Sequence, residues 1–216
     1  MKGRLYHDPL NIVICGIGGQ GNILASELLG SALVEKGFVV ALGETYGASQ
    51  RGGSVMSHIR VAESGELGVL IPEGGAHVIV GFEPLETLRI AQQYGGPDTV
   101  AIFDNRAAYP VGVLSGEQSY PPVEDIVAEL RRRCKMAMIV PAAEIALSAG
   151  DGKAANIALI GALIASNKLP LARGDFEQVL TQRFRGDVLS MNLRVFELGF
   201  RALAAQMQEG GASHVR

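Results

Sequence analysis

Two glycine-rich stretches hold the residues best suited to chemistry. Gly16-Ile17-Gly18-Gly19-Gln20-Gly21 has the G-x-G-x-x-G spacing and lies between an apolar run and a helical one. In that setting glycines let the backbone turn tightly and approach a ligand, while the amides and dipole at a helix N-terminus attract an anion. Glu44 stands 23 residues beyond Gly21, near the position of an acid that binds a ribose. The spacing alone fits a nicotinamide or flavin dinucleotide, and it fits close strand-on-helix packing equally well. The second stretch, Gly47 to Ser54, carries Gln50, Arg51, Gly52 and Gly53. Arg51 can grip a phosphate or carboxylate through two parallel N–H donors, or pin a carboxylate on a neighbouring subunit; its flanking glycines suit either use. Tyr46, just ahead, is a hydroxyl donor for a pocket or, preferably, an aromatic anchor for an interface.

Three single residues are weaker candidates. His58 titrates near neutral pH and could move a proton, though a hydrogen-bonded structural histidine is the better reading. Glu83 precedes Pro84 at the end of an apolar run, where it serves a strand-end loop or starts a helix beside its N-terminal dipole. Asn156 near a helix start either contacts a ligand or caps and cross-links loops. His7, His77 and His214 have no acidic or cysteine neighbours at ligand spacing. Cys15 and Cys134 stand far apart with no Cys-x-x-Cys pair, so no zinc or iron–sulfur site is readable, and Cys15 reads as a buried thiol. Neither a P-loop lysine nor a nucleophile elbow is present.

The elements that must position these residues follow from periodicity. Asn11 to Cys15 reads as a buried strand, Ile23 to Lys36 as a helix stopped by Gly37, and Phe38 to Leu42 as a second strand. Together they predict a βαβ unit. Ser54 to Val61 alternates, with Val55, Ser57, Ile59 and Val61 against Met56, His58 and Arg60, which predicts a strand with unlike faces. Ala76 to Val80, Thr99 to Phe103 and Met136 to Val140 complete about six strands, with helices over Leu85 to Gln93 and Val123 to Cys134. Helical text fills the rest: Ala142 to Ala149, Ala154 to Asn167, Asp175 to Phe184 and Val188 to Met207. The fold class is therefore α/β, a three-layer, mostly parallel twisted sheet with helices on both faces and a Rossmann-like glycine loop after the first strand. One domain over 11–207 is expected, with an N-terminal extension at 1–10 and a flexible tail at 208–216.

Composition bounds the partners. The chain has 216 residues, 48% of them apolar and 19% charged, with a net charge of -3. Its mean hydropathy is +0.22 and its pI about 5.8, so it is globular and has no basic field for nucleic acid. The run Arg131-Arg132-Arg133 reads as a solvated helix end. The polar Met1 to Pro9 lacks a signal-type apolar core, and no apolar stretch is long enough for a membrane span, so a cytoplasmic location is expected.

A resemblance covers nearly the whole chain, roughly Asn11 to Ala204. Gly18-Gly19-Gln20-Gly21, then Tyr46-Gly47 with Gln50-Arg51-Gly52-Gly53-Ser54, then Ser57-His58-Ile59-Arg60, resemble in their order the gamma domain of the 2-oxoacid:ferredoxin oxidoreductases. Leu70-Ile71-Pro72 and Gly81-Phe82-Glu83-Pro84-Leu85-Glu86 are most similar to the version in the beta subunit of indolepyruvate ferredoxin oxidoreductases. Asn156 in Ala155 to Ala162, and Phe196 to Gly199, suit the same pattern. The resemblance implies a complex in which thiamine diphosphate with Mg decarboxylates a 2-oxoacid, iron–sulfur clusters pass electrons towards ferredoxin, and coenzyme A takes the acyl group. It implies that a large catalytic subunit holds these cofactors and that the complex acts on aryl pyruvates. This chain, of gamma type, is then inactive alone and able to self-associate when isolated. The glycine loop and Arg51 face a diphosphate or substrate carboxylate held mainly by that partner. Gly150-Asp151-Gly152 matches the opening of a thiamine diphosphate–metal motif, but Asn156 comes too soon after it for the motif's paired asparagines, so it reads as a turn before a helix. The alternative is a free-standing NAD- or FAD-binding oxidoreductase or redox sensor.

Overall fold

A computed structural model of the chain describes residues 3–46, 53–109, 111–117 and 119–212. Apolar runs bounded by glycine, proline or polar turns form the strands, and amphipathic or wholly apolar stretches form the helices. In chain order they are β1 (Leu10–Ile17), α1 (Asn22–Glu35), β2 (Val39–Tyr46), β3 (Ser54–Ala62), β4 (Val78–Gly81), α2 (Pro84–Gln93), β5 (Val100–Phe103) and α3 (Val111–Leu114). There follow α4 (Val123–Arg133), β6 (Met136–Ile139), α5 (Ala142–Ala149), a 3₁₀ turn at Gly152–Ala154, α6 (Ala155–Ala165), α7 (Arg173–Arg183) and α8 (Gly186–Ala212).

The sheet order is β2-β3-β1-β4-β5-β6. β1, β4, β5 and β6 pair in parallel, whereas β3 is antiparallel to both of its neighbours. The expected βαβ unit is present in split form: β1 and β2 run parallel and are joined through α1, with β3 inserted between them. β3 folds back between them and pairs along its length with each, so that Ile59 faces Ile12 on one side and Leu42 on the other. The chain leaves β1 through α1 towards one end of the sheet and leaves β4 through α2 towards the other. The gap between β1 and β4 is therefore the switch point, where a crevice opens at the carboxyl ends of the strands.

Alternation along β1 divides the core. Ile12 and Ile14 pack with Leu29 of α1, Leu159 of α6 and Phe196 of α8, while Val13 and Cys15 pack with Leu85 of α2 and Leu130 of α4. α6 is buried from Asn156 to Ala165, pressed between the sheet and α8. At the crossing of these two helices an added Cβ on Gly161 would stand 2.2 Å from the Phe196 carbonyl oxygen, and one on Gly199 2.0 Å from that of Ala158. The helices therefore touch backbone to backbone, which only glycine permits. At the sheet margin, Gln206 Nε2 of α8 donates to the Ile139 carbonyl of β6 at 2.7 Å. Leu5 of the N-terminal segment joins the core, and α8 continues past Met207 to Ala212. Among the described residues, no helix is long and apolar enough to cross a membrane.

Candidate functional site

The glycine loop begins where β1 ends. Ile17 pairs with Ser54 at the start of β3, and the Gly18 amide donates to the Gly53 carbonyl at 2.9 Å, so both glycine-rich stretches meet there. Gln20 folds back over the strand end: its Oε1 accepts from the Ile17 amide at 2.7 Å and its Nε2 donates to the Phe82 carbonyl at 3.1 Å. The side chain thus bridges the ends of β1 and β4 across the switch point. Gly16 leaves room for that bridge, since a Cβ there would lie 2.5 Å from Gln20 Oε1. Gly21 adopts a left-handed φ of 85° at the start of α1, and a Cβ on it would meet Asn156 Nδ2 at 2.4 Å. Asn156 closes this contact by donating to the Gly21 carbonyl at 3.2 Å, while its Oδ1 accepts from the Ile157 amide at 2.8 Å. Gly19, with φ 104°, faces open space. α1 has neither a capping side chain nor an acid in its first turn, so the positive end of its dipole is left unmasked by the helix itself.

That open side of the loop borders a cavity of about 340 Å³, lined by Gly19, Gln20, Phe82, Asp104, Arg106, Lys153 and Asn156 among others. Asp104 ends β5 and is buried; its Oδ1 accepts from the Arg106 amide at 3.2 Å and its Oδ2 from the Ala143 amide at 2.9 Å. Burial pushes this carboxyl above the usual range, against the pull of those donors. Arg106 and Lys153 are exposed at the rim. Two cations, an open glycine backbone and a helix N-terminus together suit a phosphate, diphosphate or carboxylate. The periodicity of the sequence did not select Asp104, Arg106 or Lys153. The signal that could have found them was an acid directly after a buried parallel strand, where carboxyl-end loops carry function.

Glu83 and Glu86 form a second, buried polar group behind the cavity. Glu83 has no exposed surface. Tyr120 donates its hydroxyl to Glu83 Oε1 and the Glu86 amide donates to Oε2 at 2.8 Å. Burial raises the Glu83 pKa and these donors oppose the rise. Ser54 Oγ donates to Glu86 Oε2 at 2.6 Å, and Arg89 pairs with Glu86 Oε1 at 2.5 Å. The nearby Cys15 thiol is pushed far up by burial, which keeps it inert.

Other candidates stand apart from the cavity. His58 lies down β3, where its Nδ1 accepts from the Ile71 amide at 3.2 Å and its ring meets Tyr94 edge-on. Glu44 lies on β2, separated from β1 by β3, and accepts from Ser26 Oγ at 3.2 Å. The ribose position suggested by spacing is thus not beside the glycine loop. Tyr46 ends β2 opposite Val55. Gln50, Arg51 and Gly52 lie outside the described residues. The two cysteines are both buried and on different elements, which does not fit a four-thiolate cluster. Among the described residues no group of three His, Cys, Asp or Glu side chains is arranged to hold a metal.

The sequence profile of the pyruvate ferredoxin/flavodoxin oxidoreductase family matches residues 11–202. The chain belongs to this family. Within it, the chain is 38% identical over 197 residues to the indolepyruvate oxidoreductase subunit IorB of Thermococcus kodakarensis, covering 89% of this chain and 95% of that one. The IorB subunit of Archaeoglobus fulgidus is 35% identical over 191 residues, covering 88% and 94%. Among solved structures, the keto/oxoacid ferredoxin oxidoreductase gamma subunit of Geobacter sulfurreducens superposes with a TM-score of 0.65 at 20% identity, covering 91% of this chain and 99% of that one. The 2-oxoglutarate:ferredoxin oxidoreductase of Magnetococcus marinus gives 0.71 at 21% identity, covering 93% of this chain but 32% of the other. These two likenesses show the fold.

Proposed function

We propose that this chain is the small subunit of an indolepyruvate-type 2-oxoacid:ferredoxin oxidoreductase, acting on aryl pyruvates, and that its carboxyl-end cavity supplies an anion-binding wall to the assembled enzyme. The substrate class rests on the IorB relatives, at 34–38% identity over nearly their whole length. The division of labour rests on chemistry. Thiamine diphosphate with Mg, iron–sulfur clusters and coenzyme A supply decarboxylation, electron transfer to ferredoxin and acyl capture, and the described residues here offer no ligand set for cluster or metal. A large catalytic partner therefore holds those groups, in a reducing, cytoplasmic setting that suits two free thiols.

The observation that carries the reading is the cavity itself, where Arg106, Lys153 and the open Gly19 backbone converge at the switch point. The Magnetococcus marinus enzyme described above was solved with coenzyme A bound, and the diphosphate of such a co-substrate has the charge this wall accepts. The chain's own residues then orient an anionic group and exclude alternative poses, while bond making and breaking take place in the partner.

Co-expression with a large catalytic subunit of this enzyme type tests this. The complex should oxidise indolepyruvate with coenzyme A and a ferredoxin, and the small chain alone should not. Replacing Arg106 and Lys153 by alanine together should raise KM for coenzyme A about tenfold, the loss of roughly 1.4 kcal/mol, with kcat nearly kept. Unchanged KM would reject the cavity as the anion wall. Tight binding of NAD or FAD by the isolated chain would favour the dinucleotide alternative instead, against the placement of Glu44.

A further inference from the structure

We propose that Glu83 is a positioning residue for the cavity: its buried carboxylate fixes the wall formed by Arg106 to Ala108. The inference rests on the cavity reading above and concerns what holds that wall in place.

Glu83 is the N-cap of α2, and its Oε2 serves the Glu86 amide. Capping requires one acceptor oxygen, and a shorter Ser, Asp or Asn provides it without burying a long charged side chain. The longer arm and the remaining acceptor capacity of Glu83 go elsewhere. They reach the Tyr120 hydroxyl, near the far end of the segment that runs from β5 to α4. Tyr109, next to Ala108, packs edge-on against Tyr120 with ring centroids 5.2 Å apart, so the hydroxyl that Glu83 holds also fixes the ring against which Tyr109 rests. Asp104 holds the near end through the Arg106 amide.

The neighbouring residue holds the opposite wall. The Phe82 carbonyl accepts from Gln20, which anchors the glycine loop. Phe82 and Glu83, adjacent at the end of β4, thus tie down the two sides of one cavity, and the spacing between Gly19 and Arg106 is set at that strand end. A charged acceptor with several donors gives stronger hydrogen bonds than a neutral one, and its burial makes an unpaired state costly. Rigid placement of a rim cation is the benefit, since a loosely held arginine loses side-chain and loop entropy on binding.

The test uses the full chain, with inorganic pyrophosphate as the probe. Amide signals of Gly19, Arg106 and Lys153 report binding, and hydrogen exchange over 105–120 reports the wall. Glu83→Gln keeps an oxygen for the α2 cap, and Tyr120→Phe removes only a hydroxyl, so the second variant remains decisive if the first folds poorly. Both should speed exchange at 105–108 and weaken pyrophosphate at least fivefold, with exchange in the sheet unchanged. Unaltered exchange at 105–108, or faster exchange with wild-type affinity, overturns the positioning role while leaving the cavity reading intact. No pyrophosphate response in the wild-type chain rejects the cavity reading, and this role with it.

Discussion

His58 and His77 do the same work on opposite sides of β1, each using Nδ1 to accept a backbone amide: Ile71 at 3.2 Å and Asn11 at 3.0 Å. A protonated Nδ1 would set a donor against a donor. Burial lowers both pKa values, and for His77 the stacked His7 ring, 4.0 Å away, lowers it further. Groups held more tightly as the neutral form give stability that is whole above the unfolded pKa, about 6.5, and is lost as pH falls through the lowered folded value. The raised carboxyls Glu83 and Asp104 act in the opposite sense, so a difference measurement is needed. His77→Asn offers an uncharged acceptor in the same place. Between pH 7.5 and 5, wild type should lose stability to urea relative to this variant; equal losses would remove His77 from the account. The sequence read His58 as a structural histidine and assigned His77 nothing, because the partners of both are backbone amides far along the chain. Gln20 shows the same limit. G-x-G-x-x-G reads alike whether its variable residue meets a ligand or, as here, ties two strand ends together.

The helices α6 and α8 meet at Gly161 and Gly199, and their energetics there oppose local propensity. Alanine in a helix interior is favoured over glycine by about 1 kcal/mol. Overpacking a tight contact costs roughly 1–3 kcal/mol, and here the neighbours of the new Cβ are carbonyl oxygens that cannot rotate away. Gly199→Ala should therefore lower stability by up to about 2 kcal/mol in urea unfolding. Gly174, in α7 with nothing within 4 Å of where a methyl group would stand, is the matched control, and alanine there should stabilise by about 0.5–1 kcal/mol. Equal destabilisation at both sites would mean that close approach is not what Gly199 provides. The existence of most elements was legible in apolar periodicity, including the two faces of β3. Its neighbours were not, because alternation states that a strand has unlike faces and says nothing about which strands flank it. α3, at four residues, is too short to show a period at all.

At the scale of the whole molecule, the question is which face meets the catalytic partner. Four exposed apolar side chains come from segments around the cavity: Ile23 in the first turn of α1, Tyr109, Leu114 and Leu147. Leu147 touches the cavity wall, its Cδ2 3.1 Å from where a Gly152 Cβ would stand. Scattered exposed apolar residues are ordinary, but these share one end of the sheet, the end where the anion wall opens. A rival patch lies at the edge strand β2, where Val34, Val39 and Leu42 are exposed beside a strand paired on one side with β3. β6, by contrast, is guarded by Gln206. A partner that completes the cavity must cover the first patch. Leu114 is 71% exposed, so Leu114→Asp should shift stability by less than about 0.5 kcal/mol. It should nevertheless weaken assembly with the large subunit about tenfold or more, roughly 1.4 kcal/mol, as desolvating a carboxylate in an apolar contact demands. Val34→Asp should leave that affinity unchanged. Titration of each purified variant against the large subunit by light scattering or interferometry reads both. If Val34→Asp alone abolishes assembly, the partner sits on the β2 edge, and the cavity must bind its anion without a second wall.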